Sequence, residues 1–326
     1  MSDLLKGFTN VDELNRLFEE EEGSTKILDA DQLRQSLNSR VRGQEHVVDD
    51  LSQLISRQFA KTSRKRPVAN LLFVGPTGTG KTELCKALAE ALFDNEENRL
   101  QYDCGQFKDQ SGISRLIGTA QGYAGGSGEL TKAMMAKTQR IVIFDEIEKA
   151  HGSLCDLFLS MMGDGRVQDQ KSGKVADFTE AIIVLTSNAE QDKLTQMQEE
   201  TSDMSELNNA LRVHLQESGT FRPEIIGRID RIYVFKQLAG IVRAEIVLLK
   251  MRKIANEYGL EMVHVAPELI YEAVKEGDKL KEFGARQREQ VVEDMLADGL
   301  LAAKRAGAKR VSIVIDDDGD LLIQPA

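Results

Sequence analysis

Residues 75–82 have the types and the spacing that bind a phosphate group. They read Gly-Pro-Thr-Gly-Thr-Gly-Lys-Thr and match the pattern G-x-x-x-x-G-K-[ST] in full. Glycines allow the backbone to wrap an anion so that successive N–H groups point inward, and a following helix adds a partial positive charge. Lys81 would reach the β- and γ-phosphates of a nucleotide, and Thr82 would bind Mg²⁺. The predicted binding residues here are Gly75, Pro76, Thr77, Gly78, Thr79, Gly80, Lys81 and Thr82.

Polar residues at the ends of two later apolar runs could act on the same phosphates. One run ends in Asp145 and Glu146. A first carboxylate there can hold Mg²⁺, and a second can orient and polarise a water for attack on the γ-phosphate. Asn188 follows the other run, where an amide could hydrogen-bond the attacking water or the γ-phosphate. On spacing alone, a turn-forming residue explains Asn188 equally well.

These residues need a scaffold that brings the ends of strands together. The apolar run before the phosphate pattern predicts a strand covered on both faces, and Leu84, Leu88 and Leu92 then fall on one face of a helix. Further apolar runs alternate with helical segments, which predicts an α/β fold with a parallel sheet. We predict strands at 71–74, 100–104, 141–144, 181–185 and 232–235. Ligands of such sheets bind beyond the carboxyl ends of the strands, so the polar residues should meet there.

Changes of pattern along the 326 residues predict three parts. Residues 1–38 are acidic and helix-prone with few large apolar residues, which indicates a helical arm or tether. The parallel-sheet domain is expected at 39–237. A smaller α+β domain is expected at 238–326, where helices dominate. Its predicted strands span 261–265, 311–315 and 321–324, and its helices include one opened by Pro267 and one at 287–305.

Composition excludes several classes of protein. A net charge of −11 argues against a general nucleic-acid binder, because a phosphate backbone demands a positive surface. The one basic cluster lies at 57–66, and its simpler interpretation is a solvent-exposed linker. No apolar run approaches the ~20 residues of a membrane-spanning helix, and the first residues lack a secretory signal pattern. We therefore expect a cytoplasmic protein with no nucleic-acid or membrane partner.

The cysteines and histidines predict no further site. Cys85, Cys104 and Cys155 form an odd and sparse set without a C-x-x-C pair, which fits a reducing compartment. Cys85 is expected to be a small buried residue rather than a nucleophile. The four histidines lack the paired spacing of a zinc site, so we expect them to be structural.

The motifs together resemble those of a AAA+ ATPase of the Clp/heat-shock unfoldase group, in particular the second nucleotide-binding module of ClpB-type disaggregases. The resemblance runs from about Val41 to the C-terminus. We also expect Val41 to bind the nucleotide. Its motifs lie at 75–84, at 144–151 (FDEIEKAH), at 186–188 (TSN), at 221–230 (FRPEIIGRID) and at 284–286 (GAR). The resemblance implies a P-loop AAA+ parallel-sheet sandwich followed by a smaller C-terminal lid domain.

The resemblance gives roles to three residues that spacing alone leaves open. Asn188 matches the sensor-1 position. Arg228 aligns with the arginine finger, and Arg286 aligns with the sensor-2 arginine that touches the nucleotide from the small domain. For Arg228, a salt bridge to Asp230 or Glu224 is the structural alternative.

A glycine-rich stretch with one aromatic residue resembles the first pore loop of the same group. Tyr123 would then grip an unfolded polypeptide that is threaded through a hexameric ring. A Tyr between glycines offers an amphipathic face that binds any chain without reading its sequence. Residues 163–167 resemble the second pore loop. Taken alone, a tyrosine among glycines would indicate no function.

The chain also departs from the group's pattern. It shows one ATPase module, so a two-tier disaggregase cannot be assumed. The segment at 189–219 lacks the Ile-Gly-Phe or Ile-Gly-Leu tripeptide that members use to dock a peptidase. Gly227 stands where the group usually has Asn. Residues 1–38 match none of the group's substrate-recruiting domains.

The resemblance leads us to expect ATP-driven protein remodelling, meaning the unfolding, threading or disassembly of protein substrates. The enzyme would be a Mg²⁺-dependent ATPase that forms a ring of copies of the chain and meets an adaptor through residues 1–38. The alternative is an ATP-controlled assembly or scaffold module whose nucleotide state sets oligomerisation and partner binding without threading. A nucleic-acid motor is third, disfavoured by the acidic balance.

Overall fold

The structure is a computed structural model that describes residues 28–107, 110–201, 203–279, 285–316 and 321–326. Within these ranges, the side chains of residues 110–111, 276–279 and 285–291 lie outside the description. Most of the predicted acidic arm and the side chain of Arg286 therefore fall outside the described residues.

Helices and strands alternate through the first and larger part of the described chain. In order, they are α1 (Ala30–Arg40), α2 (Glu45–Phe59), β1 (Ala69–Val74), α3 (Lys81–Phe93), β2 (Arg99–Asp103), α4 (Gln110–Ile117), α5 (Glu129–Ala136), β3 (Ile141–Asp145), α6 (Gly152–Asp164), β4 (Arg166–Gln168), β5 (Val175–Asp177), β6 (Ile182–Ser187), α7 (Gln191–Glu200), α8 (Met204–Glu217), α9 (Pro223–Ile226) and β7 (Arg231–Val234). Single turns of 3-10 helix follow β2 and β3.

Five of the described strands form a parallel sheet in the order β2-β3-β6-β1-β7. Strand β1 lies between β6 and β7, with Leu72 opposite Ile232 in β7. Both β1 and β6 are buried along their whole length, because helices cover the two faces of the sheet. Alternate residues of β1 enter different cores: Leu71 and Phe73 belong to one cluster, and Leu72 and Val74 to the other. The predicted α/β class with a parallel sheet is confirmed.

The five predicted strands are all observed, and their ends differ from the predictions by at most two residues. The sequence pattern missed the short antiparallel hairpin of β4 and β5. Strands of three residues are too short to show the alternation of apolar and polar side chains on which the prediction depends. The segment at 163–167, expected as a second pore loop, spans the end of α6 and the start of this hairpin.

The last part of the described chain has a sheet of its own. Its elements are α10 (Gly240–Glu257), β8 (Glu261–Val265), α11 (Pro267–Lys279), α12 (Ala285–Arg305), β9 (Arg310–Ile315) and β10 (Leu321–Pro325). Strand β9 is antiparallel to β10 and parallel to β8. A separate cluster of buried residues, among them Leu296 and Ile313, packs against this sheet. The predicted smaller α+β region, with a helix opened by Pro267, is confirmed, and its boundary at residue 238 stays a prediction.

The two regions touch beside Gly43, just before α2. Its φ of 76° suits glycine, and a Cβ there would lie 2.8 Å from Cγ1 of Val242 and 3.0 Å from Cδ2 of Leu238. Nε of Arg42 and Oε2 of Glu245 are 3.9 Å apart. The start of α10 therefore packs closely on the segment that precedes α2.

Two expectations drawn from composition can be compared with the structure. Cys85 is buried, and burial raises the pKa of its thiol well above the ordinary value, so it is a poor nucleophile. The expected burial of Cys85 is confirmed. Among the helices that the structure describes, none has both the length and the apolar character needed to cross a membrane.

Candidate functional site

The predicted phosphate-binding residues form a loop between the end of β1 and the start of α3. Gly75, Gly78 and Gly80 have positive φ angles of 146°, 81° and 101°. A Cβ at Gly75 would lie 2.6 Å from the carbonyl oxygen of Phe235, so only glycine fits there. The hydroxyl of Thr79 donates to the loop's own Pro76 carbonyl at 2.9 Å. The loop thus has a wrapped backbone with a helix N-terminus at its end, which fits a phosphate.

Lys81, the first residue of α3, directs its ammonium group into the loop. Nζ donates hydrogen bonds to the carbonyl oxygens of Gly75 and Pro76, the latter at 3.0 Å. It also donates to Oδ1 of Asn188 at 3.0 Å. Burial lowers the pKa of Lys81 to about 8, although the nearby carboxylates, that of Asp145 foremost, act in the opposite direction. A bound phosphate would favour the charged ammonium, so Lys81 also fits an anionic ligand.

Asp145 ends β3 and is held from both neighbouring strands. Oδ1 accepts a hydrogen bond from the hydroxyl of Thr186 on β6 at 2.9 Å, and Oδ2 accepts one from the amide of Gln101 on β2. Because β3 lies between β2 and β6, these partners fix the carboxylate from opposite sides. Carboxylate and hydroxyl oxygens are ligands that Mg²⁺ prefers, and Thr82 in the first turn of α3 offers a hydroxyl. The donor chemistry at this edge therefore fits Mg²⁺.

Glu146 has a different conformation and different partners from Asp145. Its φ of 56° lies in the left-handed region, which is uncommon for a residue other than glycine. Its N–H donates to the hydroxyl of Thr186 at 3.3 Å, while its carboxylate pairs with Nζ of the exposed Lys149 at 2.8 Å. The two adjacent acids are thus in different environments: Asp145 is fixed between strands, and Glu146 is paired with an exposed side chain at the surface.

Asn188 lies against the phosphate loop through its contact with Lys81. Its N–H donates to Oε1 of Glu148 at 3.4 Å, and the hydroxyl of Ser187 donates to Oε2 of the same carboxylate at 2.7 Å. Glu148 therefore holds the turn that follows β6. A turn-forming role alone does not explain why the Asn188 side chain reaches Lys81.

Val41 and Gln44 approach the loop from the segment before α2. Val41 is buried, and its Cγ1 lies 3.8 Å from the position that a Cβ on Gly80 would take. Gln44 is fully buried, and its Nε2 donates to the carbonyl oxygens of Thr79 at 3.2 Å and Lys236 at 2.8 Å. Its Oε1 accepts from the N–H of Lys236 at 3.0 Å. One amide thus joins the phosphate loop to the chain that leads into α10.

Arg228 makes its described contacts elsewhere. Nη1 donates to the backbone carbonyl of Glu224 at 3.2 Å, and Nε lies 3.0 Å from the position of a Cβ on Gly163. The alternative prediction of a salt bridge to Asp230 or Glu224 is not found among the described ion pairs, in which Asp230 pairs with Arg66. The half-buried guanidinium of Arg228 is therefore not engaged with its own phosphate loop.

Tyr123 is also separate from the phosphate site. It lies between α4 and α5 and is 73% exposed. Gly122 and Gly125 have φ angles of 91° and 138°, so the chain turns sharply on both sides of the ring. The side chain of Arg286, in α12, is outside the described residues, and its predicted contact with the nucleotide stays a prediction.

Sequence reasoning missed three residues that support the site. Gln101 lies on the strand predicted at 100–104 and has no motif around it. Glu148 lies inside the FDEIEKAH motif at 144–151, which was the available signal for it. Gln44 contacts Lys236 across 192 residues of sequence, a separation that no local pattern encodes.

Comparisons with known proteins agree with this architecture. The family model described as AAA domain (Cdc48 subfamily) matches residues 66–232. The ATP-dependent Clp protease ATP-binding subunit ClpC of Staphylococcus aureus (strain USA300) is 31% identical over 332 residues, which cover 98% of this chain and 40% of that protein. Chaperone protein ClpB2, chloroplastic, of Oryza sativa subsp. japonica is 38% identical over 283 residues, which cover 82% of this chain and 28% of that protein. The chain therefore spans less than half the length of these curated relatives.

A solved structure has the same fold. The S. cerevisiae Hsp104:casein complex in its extended conformation is similar with a TM-score of 0.73 at 24% sequence identity. The likeness covers 92% of this chain and 53% of that chain.

Proposed function

This chain belongs to the AAA domain family (Cdc48 subfamily), and on that premise we propose that it hydrolyses ATP to ADP and phosphate and uses the energy to unfold, thread or disassemble protein substrates. One observation carries the proposal. Lys81 at the phosphate loop contacts Asn188 after β6, while Asp145 ends β3 and Glu146 follows it, all at the carboxyl edge of one parallel sheet.

The residues at this edge have separate roles in the proposal. Lys81 and the backbone of the loop at 75–80 bind the phosphates, and Val41 lies against the nucleotide. Thr82 and Asp145 would hold Mg²⁺, which when bound offsets the negative charge of the phosphates.

Glu146 is proposed to orient and polarise the water that attacks the γ-phosphate. Its carboxylate must then separate from Lys149. Solvent screens an exposed ion pair of this kind, so the separation costs little. Asn188, held by Glu148, is proposed to hydrogen-bond the same water or the γ-phosphate.

Two arginines are proposed to complete the site from outside the phosphate loop. Arg228 has no described contact with its own loop, which supports action on the nucleotide of a neighbouring copy. The planar guanidinium suits the oxygens of a transferring phosphoryl group. Arg286 is proposed to reach the nucleotide from the smaller domain. ATP hydrolysis would therefore require a ring, with six copies expected.

Tyr123 is proposed to grip the protein substrate. Its exposure and its position between two glycine turns support this role, because an aromatic ring offers contact area to any polypeptide. The similar solved structure is a complex of Hsp104 with a second protein, casein, which is consistent with the proposal.

The remaining parts of the proposal concern organisation. The large ATPase domain would span residues 39–237 and the lid 238–326, with residues 1–38 as an arm for an adaptor. The partners would be protein substrates and further copies of the chain, and no nucleic acid, membrane or docked peptidase is included. A cytoplasmic location belongs to the proposal, and the sparse cysteines fit the reducing compartment that it implies.

The test compares the wild type with two variants, Glu146→Gln and Lys81→Ala, in the presence of fluorescently labelled casein. The wild type should hydrolyse ATP. Glu146→Gln should bind ATP, hydrolyse it poorly and retain casein in ATP but not in ADP. Lys81→Ala should neither bind ATP productively nor retain casein. These differences follow from the separate positions of the two residues, one on the phosphates and one on the water.

Two results would contradict the proposal in different ways. Equal ATP affinity in Lys81→Ala and the wild type would remove the nucleotide-site assignment. Assembly of the wild type in ATP without retention of casein by Glu146→Gln would instead support the assembly or scaffold module.

A further inference from the structure

Asp169 is a fully buried carboxylate outside the phosphate site. It directly follows β4. Oδ2 accepts hydrogen bonds from the N–H of Gly128 at 2.8 Å and the hydroxyl of Thr131 at 2.6 Å. Oδ1 accepts from the N–H and the hydroxyl of Ser172, at 2.7 and 2.8 Å. One oxygen thus holds the start of α5, and the other holds the turn between β4 and β5.

These four donors keep Asp169 ionised although it is buried. Burial alone raises the pKa of the carboxyl group, but the hydrogen bonds from Thr131, Ser172 and Gly128 outweigh it, so the pKa is well below its usual range. Hydrogen bonds to an ionised carboxylate are roughly twice as strong as those between neutral groups. Removal of the charge should therefore weaken both attachments at once.

The turn of the hairpin, residues 169–174, supports the loop that contains Tyr123, residues 119–127. Nζ of Lys171 donates to the carbonyl oxygen of Tyr123 at 2.8 Å. A backbone N–H of the hairpin turn also donates to the carbonyl oxygen of Ile117, at the end of α4, at 2.8 Å. The hairpin turn therefore contacts the Tyr123 loop in its middle and just before its start.

The two ends of the Tyr123 loop meet beside Asp169. Gly118 has a φ of 90°, and a Cβ there would lie 3.1 Å from both Oδ2 of Asp169 and the N atom of Gly128. The N–H of Thr119 donates to the carbonyl oxygen of Gly126 at 3.2 Å, which closes the loop. The loop therefore starts and ends on the network around Asp169.

We propose that Asp169 and Lys171 are positioning residues that fix the Tyr123 loop on the β4–β5 hairpin, so that the Tyr123 ring is presented to a polypeptide. The inference rests on the proposed function, in which Tyr123 grips the substrate. A loop that is already ordered loses less conformational entropy on binding, so its fixation should raise the affinity for polypeptide.

The test uses two variants of the full chain and a matched control. Asp169→Asn keeps the shape of the side chain but removes its charge. Lys171→Met keeps the aliphatic stem and removes the donor at a half-buried position. This variant should fold, so it still tests the inference if Asp169→Asn does not fold. Two variants are controls. Lys174→Met changes an exposed lysine of the same hairpin, and Lys171→Arg keeps a hydrogen-bond donor at position 171.

Hydrogen exchange of residues 116–128 is measured first, without substrate. Exchange in this segment should become about tenfold faster in Asp169→Asn and a few-fold faster in Lys171→Met, as expected for the loss of hydrogen bonds. Binding of labelled casein in ATP is then measured with Glu146→Gln in every background. The affinity for casein should fall by about tenfold in Asp169→Asn and by a few-fold in Lys171→Met. Basal ATP hydrolysis, measured in the same variants with Glu146 intact, should stay within twofold of the wild type. Lys174→Met and Lys171→Arg should match the parent in all measurements.

The outcomes separate this inference from the proposed function. Unchanged exchange in folded Asp169→Asn and Lys171→Met overturns the positioning role. Faster exchange with unchanged casein affinity overturns it as well, because the loop would then be ordered without benefit to binding. Faster exchange in a protein whose parent binds no casein supports the structural link but overturns the proposed function.

Discussion

Nζ of Lys81 donates a hydrogen bond to Oδ1 of Asn188, and this contact joins the first residue of α3 to the turn after β6. The two residues are 107 positions apart in the sequence. They meet because β1 and β6 are parallel neighbours, so the segments that leave their carboxyl ends emerge side by side. The ammonium group is therefore held by neutral oxygens where phosphate oxygens are expected in the nucleotide complex.

The first prediction concerns the pH dependence of nucleotide binding. Because burial lowers the pKa of Lys81 to about 8 in the protein without nucleotide, the side chain loses its proton above that pH. A neutral amine attracts phosphates weakly, so the dissociation constant for a fluorescent ATP analogue should rise by up to tenfold per pH unit above about 8. Equilibrium titrations between pH 7 and 9.5 measure this. Lys81→Met should bind weakly at every pH, and an equal slope in both proteins would contradict the assignment.

The same pKa shift of Lys81 predicts that the stability of the nucleotide-free protein rises with pH, whereas nucleotide binding weakens. Lys81 has a lower pKa in the folded chain than its ordinary 10.5, so the unfolded chain binds more protons between about pH 8 and 10.5. The free energy of unfolding therefore gains a contribution from Lys81 as the pH rises through this window. Urea titrations of the wild type and Lys81→Met at pH 7.5 and 9.5 should show this contribution only in the wild type.

The second prediction concerns Gln44, whose buried amide bonds to Thr79 and Lys236. Gln44→Ala would leave buried carbonyl and N–H groups without partners, each at a cost of about 1–3 kcal/mol. We expect the free energy of unfolding to fall by roughly 2–4 kcal/mol, measured by urea denaturation. Gln53→Ala, at an exposed position of α2, should change it by about 0.5 kcal/mol or less. Equal effects of the two substitutions would contradict a bridging role for Gln44.

The sequence predicts the parts of the site that are local in the chain. The phosphate loop, the acids at the end of β3 and Asn188 after β6 all follow apolar runs, and parallel strands place such residues at one edge of the sheet. The partners that fix them could not be predicted in this way. Gln101 holds Asp145 because β2 lies next to β3 in the sheet. Hydrophobic periodicity predicts strands but does not predict their order in a sheet.

The support for Tyr123 lies beyond sequence reasoning for a different reason. Its loop is glycine-rich, and the strands β4 and β5 of the hairpin that contacts it have three residues each. Neither segment is therefore long or apolar enough to show a hydrophobic periodicity. Asp169 is one acid in a polar turn, and only the fold shows that it is buried among four donors.

The third prediction separates substrate binding from ATP hydrolysis. Tyr123→Ala should leave basal ATP hydrolysis within about twofold of the wild type, because the exposed ring has no described contact with the phosphate site. Unfolding of a tagged model protein, followed by its fluorescence, should be abolished, since the aromatic contact area is removed. Tyr271→Ala removes another exposed tyrosine, on α11, and should have no effect. Persistent unfolding by Tyr123→Ala would contradict the grip.

The last prediction tests whether Arg228 acts on a neighbouring copy. Arginine fingers supplied by another subunit contribute about 10³- to 10⁵-fold to the rate, so Arg228→Ala should hydrolyse ATP far more slowly while it still binds ATP. Its free energy of unfolding should change by about 0.5 kcal/mol or less, because the described hydrogen bond of the side chain is a single contact with the backbone of Glu224. Arg228→Lys keeps the charge without the planar fork and should recover only part of the rate.

A mixing experiment distinguishes action between copies from action within one copy. Arg228→Ala subunits keep Lys81 and Glu146, so they should regain ATP hydrolysis when combined with Glu146→Gln subunits that still carry the arginine. Neither variant alone should be active, and the recovered rate should follow the fraction of mixed neighbours as the ratio is varied. A recovered rate of zero in rings shown to contain both variants, or full activity of a strictly monomeric wild type, would mean that Arg228 does not serve a neighbour's nucleotide.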